Sequence, residues 1–232
     1  MTAQNVVISV IAGSFSGYLA TPDSPTGAGI LLIQEIFGVN SVMRQIADSY
    51  AEAGYFALVP DLFWRLEPNI ELDPQYEDQL AKAFDLYQRF DVDKGMEDLQ
   101  ASLNFLRHYP GCNGKVGSIG FCLGGKLAYL MATRTDADCN VSYYGVAIES
   151  SLAEATTIQR PLILHLAEND EFSSTEAQAT IQQTLKENSL ITIYSYAGVS
   201  HAFGRVDSAA YRAEAAELAS DRTLAFLQQH LS

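Results

Sequence analysis

Residues Gly120 to Gly124, with the sequence GFCLG, place a cysteine between two glycines. An apolar strand-like stretch, KVGSI, precedes them, and a helical pattern, KLAYLMATR, follows. This arrangement is typical of a sharp strand-to-helix turn that exposes the residue between the glycines, here Cys122. At the start of a helix, the dipole and the free N–H groups favour a thiolate and stabilise an oxyanion. The pattern predicts a nucleophile, although a buried structural cysteine beside packing glycines explains it equally well.

A nucleophile needs a base and a residue that orients the base, and Asp170 and His201 are the candidates. Asp170 directly follows the apolar stretch PLILHLAEN, and His201 comes shortly after LITIYSYAG. In open parallel sheets, ligands bind where such strands end. Alternatives stay open, because Asp170 also fits a turn or a helix cap, Glu168 and Glu171 compete with it, and His201 fits an ordinary loop histidine. The order nucleophile, acid, histidine nevertheless predicts a Cys122/Asp170/His201 triad.

A carboxylate ends the most apolar stretch of the chain, LLIQEIFG, at Glu35. If this strand lies beside the one that leads to Cys122, Glu35 can approach the thiol. The backbone N–H groups of Ile36 and Leu123 would then form an oxyanion hole. A strand-end acid exposed to water is the alternative interpretation of Glu35.

The other histidines carry no comparable signal. His165 falls inside a strand-like stretch and is expected in the core, whereas His108 and His230 lie near helix ends and are expected in solvent. The histidines and cysteines show neither a zinc-type spacing nor an H-E-x-x-H run. The glycines form neither a G-x-G-x-x-G turn nor a G-x-x-x-x-G-K-[ST] loop. We therefore predict neither a metal nor another cofactor.

Strand-like and helical patterns alternate along the chain, which predicts a mainly parallel, twisted sheet with helices on both faces. No linker-like stretch, repeat or low-complexity tract interrupts the pattern, so a single domain over residues 1–232 is expected. Strands are expected at 6–12, 15–20 and 28–34 and at later apolar stretches; helices are expected within 75–108 with a break near 91–95, and at 175–186 and 209–231.

Composition narrows the classes of partner. The chain has 14 basic and 28 acidic residues, a net charge of -14, which opposes binding to nucleic acids and anionic membranes. The first residues lack the pattern of a secretory signal, and no apolar run is long enough to span a membrane. Three cysteines in a chain of this size are expected to be reduced thiols. We expect a cytoplasmic protein that binds a small molecule, with its oligomeric state left open.

Several short motifs resemble the dienelactone hydrolases, also called carboxymethylenebutenolidases. They are QEIFG, GFCLGG, the ND that ends the later strand, and SHAFGR, and further matches such as DLFWR, YYGV and SDRTLAFL extend the resemblance over nearly the whole chain. The resemblance implies an α/β-hydrolase fold and a Cys122/Asp170/His201 triad. It also implies that Glu35 helps convert the thiol to an attacking thiolate, and that an ester or lactone is cleaved through an acyl-enzyme.

The resemblance also implies where the substrate binds. Arg205 matches one of two family arginines that hold a substrate carboxylate, but Leu80 occupies the place of the other. Phe84 stands where a tyrosine is common. Tyr143 and Tyr144, in YYGV, are candidates for the pocket wall, and the alternative for such strand aromatics is the core. The substrate that the resemblance implies is a small lactone or ester of the dienelactone type, but Leu80 and Phe84 fit a more apolar ester or lactone at least as well. A more apolar ester or thioester, or a ligand bound without turnover, are the alternatives.

Overall fold

The computed structural model describes all residues from 1 to 232. The strands are β1 Thr2–Val10, β2 Gly13–Thr21, β3 Gly27–Ile33, β4 Phe56–Pro60, β5 Cys112–Phe121, β6 Cys139–Tyr143, β7 Leu162–Asn169 and β8 Ile191–Ser200. The helices are α1 Ser41–Glu52, α2 Glu77–Arg89, α3 Val92–Arg107, α4 Leu123–Arg134, α5 Thr175–Leu185 and α6 Ala213–Leu231, with a 3₁₀ helix at Ile148–Thr157. None of the helices has the length and apolar composition needed to cross a membrane.

The eight strands form one sheet in the order β1-β2-β4-β3-β5-β6-β7-β8. The pairs β1/β2 and β2/β4 are antiparallel, whereas β3/β4, β5/β6, β6/β7 and β7/β8 are parallel. The prediction of a mainly parallel sheet is confirmed. The chain consists of two compact units, Met1–Val116 and Gly117–Ser232. That residues 1–232 form one domain stays a prediction.

The first strand differs from its expected bounds. The sequence predicts a strand over residues 6–12, but β1 begins at Thr2 and ends at Val10. The reason is a hairpin that pairs Thr2 with Thr21 and Val10 with Gly13, so that Ile11 lies in the turn and is fully exposed. Pairing with β2 therefore outweighs the local apolar pattern.

In the unit Met1–Val116, strands β3 and β4 form the buried centre. A fully buried Gln34 follows β3, and its side-chain oxygen accepts the N–H of Leu62 at 3.1 Å. The amide nitrogen of Gln34 donates to the carbonyl of Glu35 at 3.3 Å. Because a buried amide must be hydrogen-bonded, these contacts fix the segment that carries Glu35 against the loop after β4.

In the unit Gly117–Ser232, strand β6 is buried along its whole length between α4 and α6. The hydroxyl of Tyr143 pairs with Oγ1 of Thr223 at 2.6 Å, and the same Oγ1 lies 3.0 Å from Nε2 of His165. Nδ1 of His165 lies 2.8 Å from the hydroxyl of Tyr196. These contacts tie α6 to three neighbouring strands. His165 is thus a core residue, as predicted.

Candidate active site

The register of β7 and β8 brings the acid and the histidine together. Ala167 pairs with Tyr196, but the next pair is Asn169 with Ser200, so β8 advances four residues while β7 advances two. This bulge ends both strands at the same level. Asp170 and His201 are the next residues on their strands and are therefore neighbours.

A glutamate stabilises the bulge. Gly198 lies within it at a φ of 69°, a conformation that glycine adopts without strain. Its N–H donates to Oε2 of Glu168 at 2.8 Å. The carboxylate of Glu171 accepts the backbone N–H of His201 at 3.4 Å. The two carboxylates that compete with Asp170 in the sequence thus bind backbone N–H groups.

The imidazole of His201 is held by Asp170. Nδ1 of His201 lies 2.9 Å from Oδ2 and 3.0 Å from Oδ1 of Asp170, and both side chains are buried. Oδ1 also accepts the N–H of Phe172 at 2.9 Å, which fixes the carboxylate in turn. The arrangement orients the ring and leaves Nε2 as the nitrogen available for chemistry.

Cys122 forms the turn between β5 and α4. Its φ of 56° and ψ of -114° lie outside the usual regions for a residue with a side chain. The backbone around it is fully engaged, since its N–H donates to the carbonyl of Tyr143 at 3.1 Å and its own carbonyl accepts the N–H of Lys126 at 3.2 Å. At Gly120 a Cβ would collide with the carbonyl oxygen of Gly124. The turn therefore requires glycine there, as the motif predicts.

Electrostatics link Cys122 to the same imidazole. Burial of the ring opposes its positive charge, but hydrogen bonds to Asp170 and Cys122, together with their negative charges, raise the pKa of His201 from 6.5 to about 10. Nε2, the ring nitrogen that Asp170 does not hold, is buried. A protonated His201 at neutral pH favours a thiolate at Cys122.

Aromatic side chains enclose the imidazole. The ring of Tyr144 lies 5.0 Å from that of His201, and the ring of Phe172 lies 4.8 Å away, both edge-on. Phe172 is half exposed. The YYGV motif made Tyr144 a candidate for the pocket wall, whereas the sequence gave no role to Phe172. The position of Phe172, two residues after Asp170, was the available signal.

The residues that the sequence proposes as substrate contacts lie in different environments. The hydroxyl of Tyr143 is bound to α6 through Thr223 and the carbonyl of Ala219. Arg205 is buried and forms an ion pair with Asp207. In the other unit, Leu80 is partly buried on α2 and Phe84, one turn later, is 36% exposed.

The residue predicted to act on the thiol and the two residues whose N–H groups are predicted to form the oxyanion hole are all buried. Glu35 is 7% and Ile36 6% exposed, and both lie just beyond Gln34, the residue that follows β3. Leu123 is buried as the first residue of α4, so its N–H lies among those that a helix leaves without an internal partner. An approach of Glu35 to Cys122 stays a prediction. No group of three or more histidine, cysteine or acidic side chains is placed to hold a metal ion.

The sheet is mainly parallel, a strained turn follows β5, and an acid and a histidine follow β7 and β8. Together these features define an α/β hydrolase. The sequence pattern of the dienelactone hydrolase family matches residues 15–231. The chain belongs to this family and is a carboxylic ester hydrolase of the dienelactone hydrolase type.

Similar proteins agree with this assignment. Carboxymethylenebutenolidase of Pseudomonas putida is 38% identical over 214 residues, which cover 92% of this chain and 91% of that protein. Carboxymethylenebutenolidase 1 of Cupriavidus pinatubonensis is 34% identical over 221 residues, covering 95% and 94%. The crystal structure of a dienelactone hydrolase from Anabaena variabilis shares the fold, with a TM-score of 0.74 at 18% identity over 100% of this chain and 99% of that one.

Proposed function

We propose that this hydrolase opens a small lactone or carboxylic ester of the dienelactone type through a Cys122/Asp170/His201 triad and an acyl-enzyme. The observation that carries the proposal is the buried contact of 2.9 Å between His201 and Asp170, on a ring whose charge Cys122 also stabilises. An imidazolium beside a cysteine is the arrangement that activates a thiol for nucleophilic attack.

In the first step, the thiolate of Cys122 attacks the carbonyl carbon and the carbonyl oxygen becomes an oxyanion. As that oxyanion collapses, the C–O bond of the lactone or ester breaks and a thioester to Cys122 remains. His201, protonated at rest, gives its Nε2 proton to the departing oxygen. In a lactone the released oxygen stays within the acyl group; in an ester it departs as an alcohol.

In the second step, the neutral His201 removes a proton from water, and the resulting hydroxide attacks the thioester. The C–S bond breaks, the product leaves as a carboxylic acid, and Cys122 and His201 return to the thiolate and imidazolium forms. Asp170 holds the ring in one orientation through both steps and stabilises its positive charge.

The oxyanion would be bound by the backbone N–H groups of Leu123 and Ile36. The N–H of Leu123 points from the start of α4, where the helix dipole adds to its effect. Glu35, buried next to Ile36, would tune the charge of the thiol. Arg205, Leu80, Phe84 and Tyr143 would contact the substrate. A more apolar ester or thioester is the second candidate, favoured by the partly exposed Leu80 and Phe84 on α2.

The test is hydrolysis of cis- and trans-dienelactone and of p-nitrophenyl acetate by the wild type, Cys122→Ala, Leu80→Arg and the thiol control Cys112→Ala. We expect Cys122→Ala alone to lose turnover, and we expect mass spectrometry to detect an acyl adduct on the wild type. Equal activity of Cys122→Ala would overturn the triad. The apolar substrate would be favoured if the wild type cleaves only the neutral ester and Leu80→Arg gains dienelactone activity. Tight binding without turnover would indicate a ligand-binding protein.

A further inference from the structure

A buried glutamine near the start of α5 is bound to the segment that carries Asp170. Gln178 is 7% exposed. Its Nε2 donates to the carbonyl of Ala167 at 2.9 Å and to the carbonyl of Ser173 at 2.9 Å. A side-chain amide has two N–H groups on its nitrogen and none on its oxygen. Because both partners are carbonyl oxygens, the amide nitrogen must face them, and both of its N–H groups are used.

The two carbonyls lie on either side of Asp170 in the chain. Ala167 comes three residues before the acid and Ser173 three residues after it. Between them, the N–H of Phe172 donates to Oδ1 of Asp170 at 2.9 Å, and the N–H of Ser173 donates to its carbonyl at 3.3 Å. The amide of Gln178 therefore ties together both ends of the turn that holds the carboxylate.

One of these carbonyls belongs to the bulge. Ala167 is the last residue of β7 to pair regularly with β8 before the register shifts. On the β8 side, Gly198 donates its N–H to Glu168, whose side chain is exposed. On the β7 side, Gln178 binds the carbonyl of Ala167 from a buried position. Losing a buried hydrogen bond leaves a polar group without water, so the contact of Gln178 is the costlier one to break.

Packing alone does not explain a glutamine at this position. The other buried residues of α5 are Ile181 and Leu185, which lie three and seven positions after Gln178. This spacing describes the apolar face of a helix that packs on a sheet. A buried amide is unfavourable unless it is hydrogen-bonded, so an apolar side chain would suit the face better. The two hydrogen bonds to the segment around Asp170 are therefore the reason for the amide.

We propose that Gln178 is a positioning residue for the reaction, because its amide holds the turn of Asp170 and, through Asp170, the imidazole of His201. The inference rests on the proposed function and adds a residue outside the triad. Without the amide, the carboxylate of Asp170 is free to shift relative to the ring. Small displacements of a catalytic group are costly, and we expect kcat to fall on the order of 10-fold.

The experiment uses two substitutions of Gln178 and two controls on the same helix. Gln178→Met keeps the length of the side chain and removes both donors, and Gln178→Glu keeps its shape but offers only acceptors at neutral pH. Gln182→Met makes the first change on the exposed face of α5. Ile181→Val shortens a fully buried side chain and so lowers stability without removing a hydrogen bond. For each protein, kcat and KM for p-nitrophenyl acetate, urea unfolding and the NMR titration of His201 are measured.

We expect both Gln178 variants to lose kcat ~10-fold with little change in KM. The pKa of His201 should also fall, because the contact with Asp170 that raises it is weakened. Ile181→Val should lose stability but keep the kcat and the histidine titration of the wild type, and Gln182→Met should keep all three. In an Asp170→Ala background, Gln178→Met should cause no further loss of kcat, because both substitutions act through the same group.

Gln178 variants that lose only stability, as Ile181→Val does, overturn the inference. So does a loss of kcat that persists undiminished in the Asp170→Ala background. The proposed function fails separately, if cleavage of p-nitrophenyl acetate survives Cys122→Ala. The titration of His201 reports on its contact with Asp170 in either case.

Discussion

Asn169 on β7 lies opposite Ser200 on β8, and these are the residues that immediately precede Asp170 and His201. The pairing depends on the bulge after Ala167, where β8 contains two residues more than β7. Without them, His201 would lie two residues further along its strand, a displacement of roughly 6.6 Å. A hydrogen bond between Asp170 and the imidazole would then be out of reach.

Glu168→Ala tests whether the bulge positions His201. Loss of the 2.8 Å contact to the N–H of Gly198 should loosen the bulge and lower kcat on the order of 10-fold, with little change in KM. Because the contact between His201 and Asp170 also weakens, the pKa of His201 measured by NMR should fall. Glu168→Gln, which retains an acceptor oxygen, should restore most of kcat. If Glu168→Ala has the kcat and histidine titration of the wild type, the bulge does not depend on this carboxylate.

The charge of His201 should make stability depend on pH. Its pKa is raised from 6.5 to about 10 in the fold, so protonation stabilises the folded chain. This contribution is fully present below pH 6.5 and is lost as the pH rises toward about 10. His201→Gln should therefore lower the free energy of unfolding more at pH 6 than at pH 10.5, measured by urea titration. Equal destabilisation at both pH values would contradict the raised pKa.

Gly125→Ala should destabilise the contact between α4 and β6. A Cβ at this position would lie 2.6 Å from the carbonyl oxygen of Tyr143 and 2.7 Å from Cα of Gly145, which are backbone atoms that cannot rotate away. We expect a loss of about 1–3 kcal/mol in thermal or urea unfolding. The matched control is Gly204→Ala, whose Cβ would meet only Tyr144 and Tyr143 at 3.8 and 3.9 Å. A Gly125→Ala protein as stable as the control would show that the helix can shift.

Thr223→Val tests the buried network beneath the sheet. The substitution preserves shape but removes the hydroxyl that lies 2.6 Å from Tyr143 and 3.0 Å from His165. Burial, with a smaller effect of Arg222, lowers the pKa of His165 to about 3, so the ring is neutral. In Thr223→Val the ring would lose a hydrogen-bond partner and would not become charged. We expect a loss of about 1–3 kcal/mol in unfolding free energy. Thr180→Val on the exposed face of α5 is the control, and an equal effect of both would contradict a role for the network.

Local patterns alone predicted much of the protein. The glycines around Cys122 predicted the turn after β5, because only residues without a side chain fit where the chain doubles back so closely. The alternation of apolar strands and helices predicted the mainly parallel sheet. The motifs predicted the family, and with it the class of reaction. These properties follow from short stretches of sequence and from the motifs, so no contact between distant residues was needed to predict them.

Long-range pairing decided the rest. The sequence left Glu168, Asp170 and Glu171 as competing carboxylates; the register of β7 and β8 placed only Asp170 against the His201 ring. The pairing of Arg205 with Asp207 likewise depends on how the loop after β8 turns. The register of a strand pair arises from hydrogen bonds between residues that are far apart in the chain. The conformation of a loop arises from backbone turns that many sequences permit. Which of several similar side chains come together is therefore a property of the folded chain and cannot be derived from its local patterns.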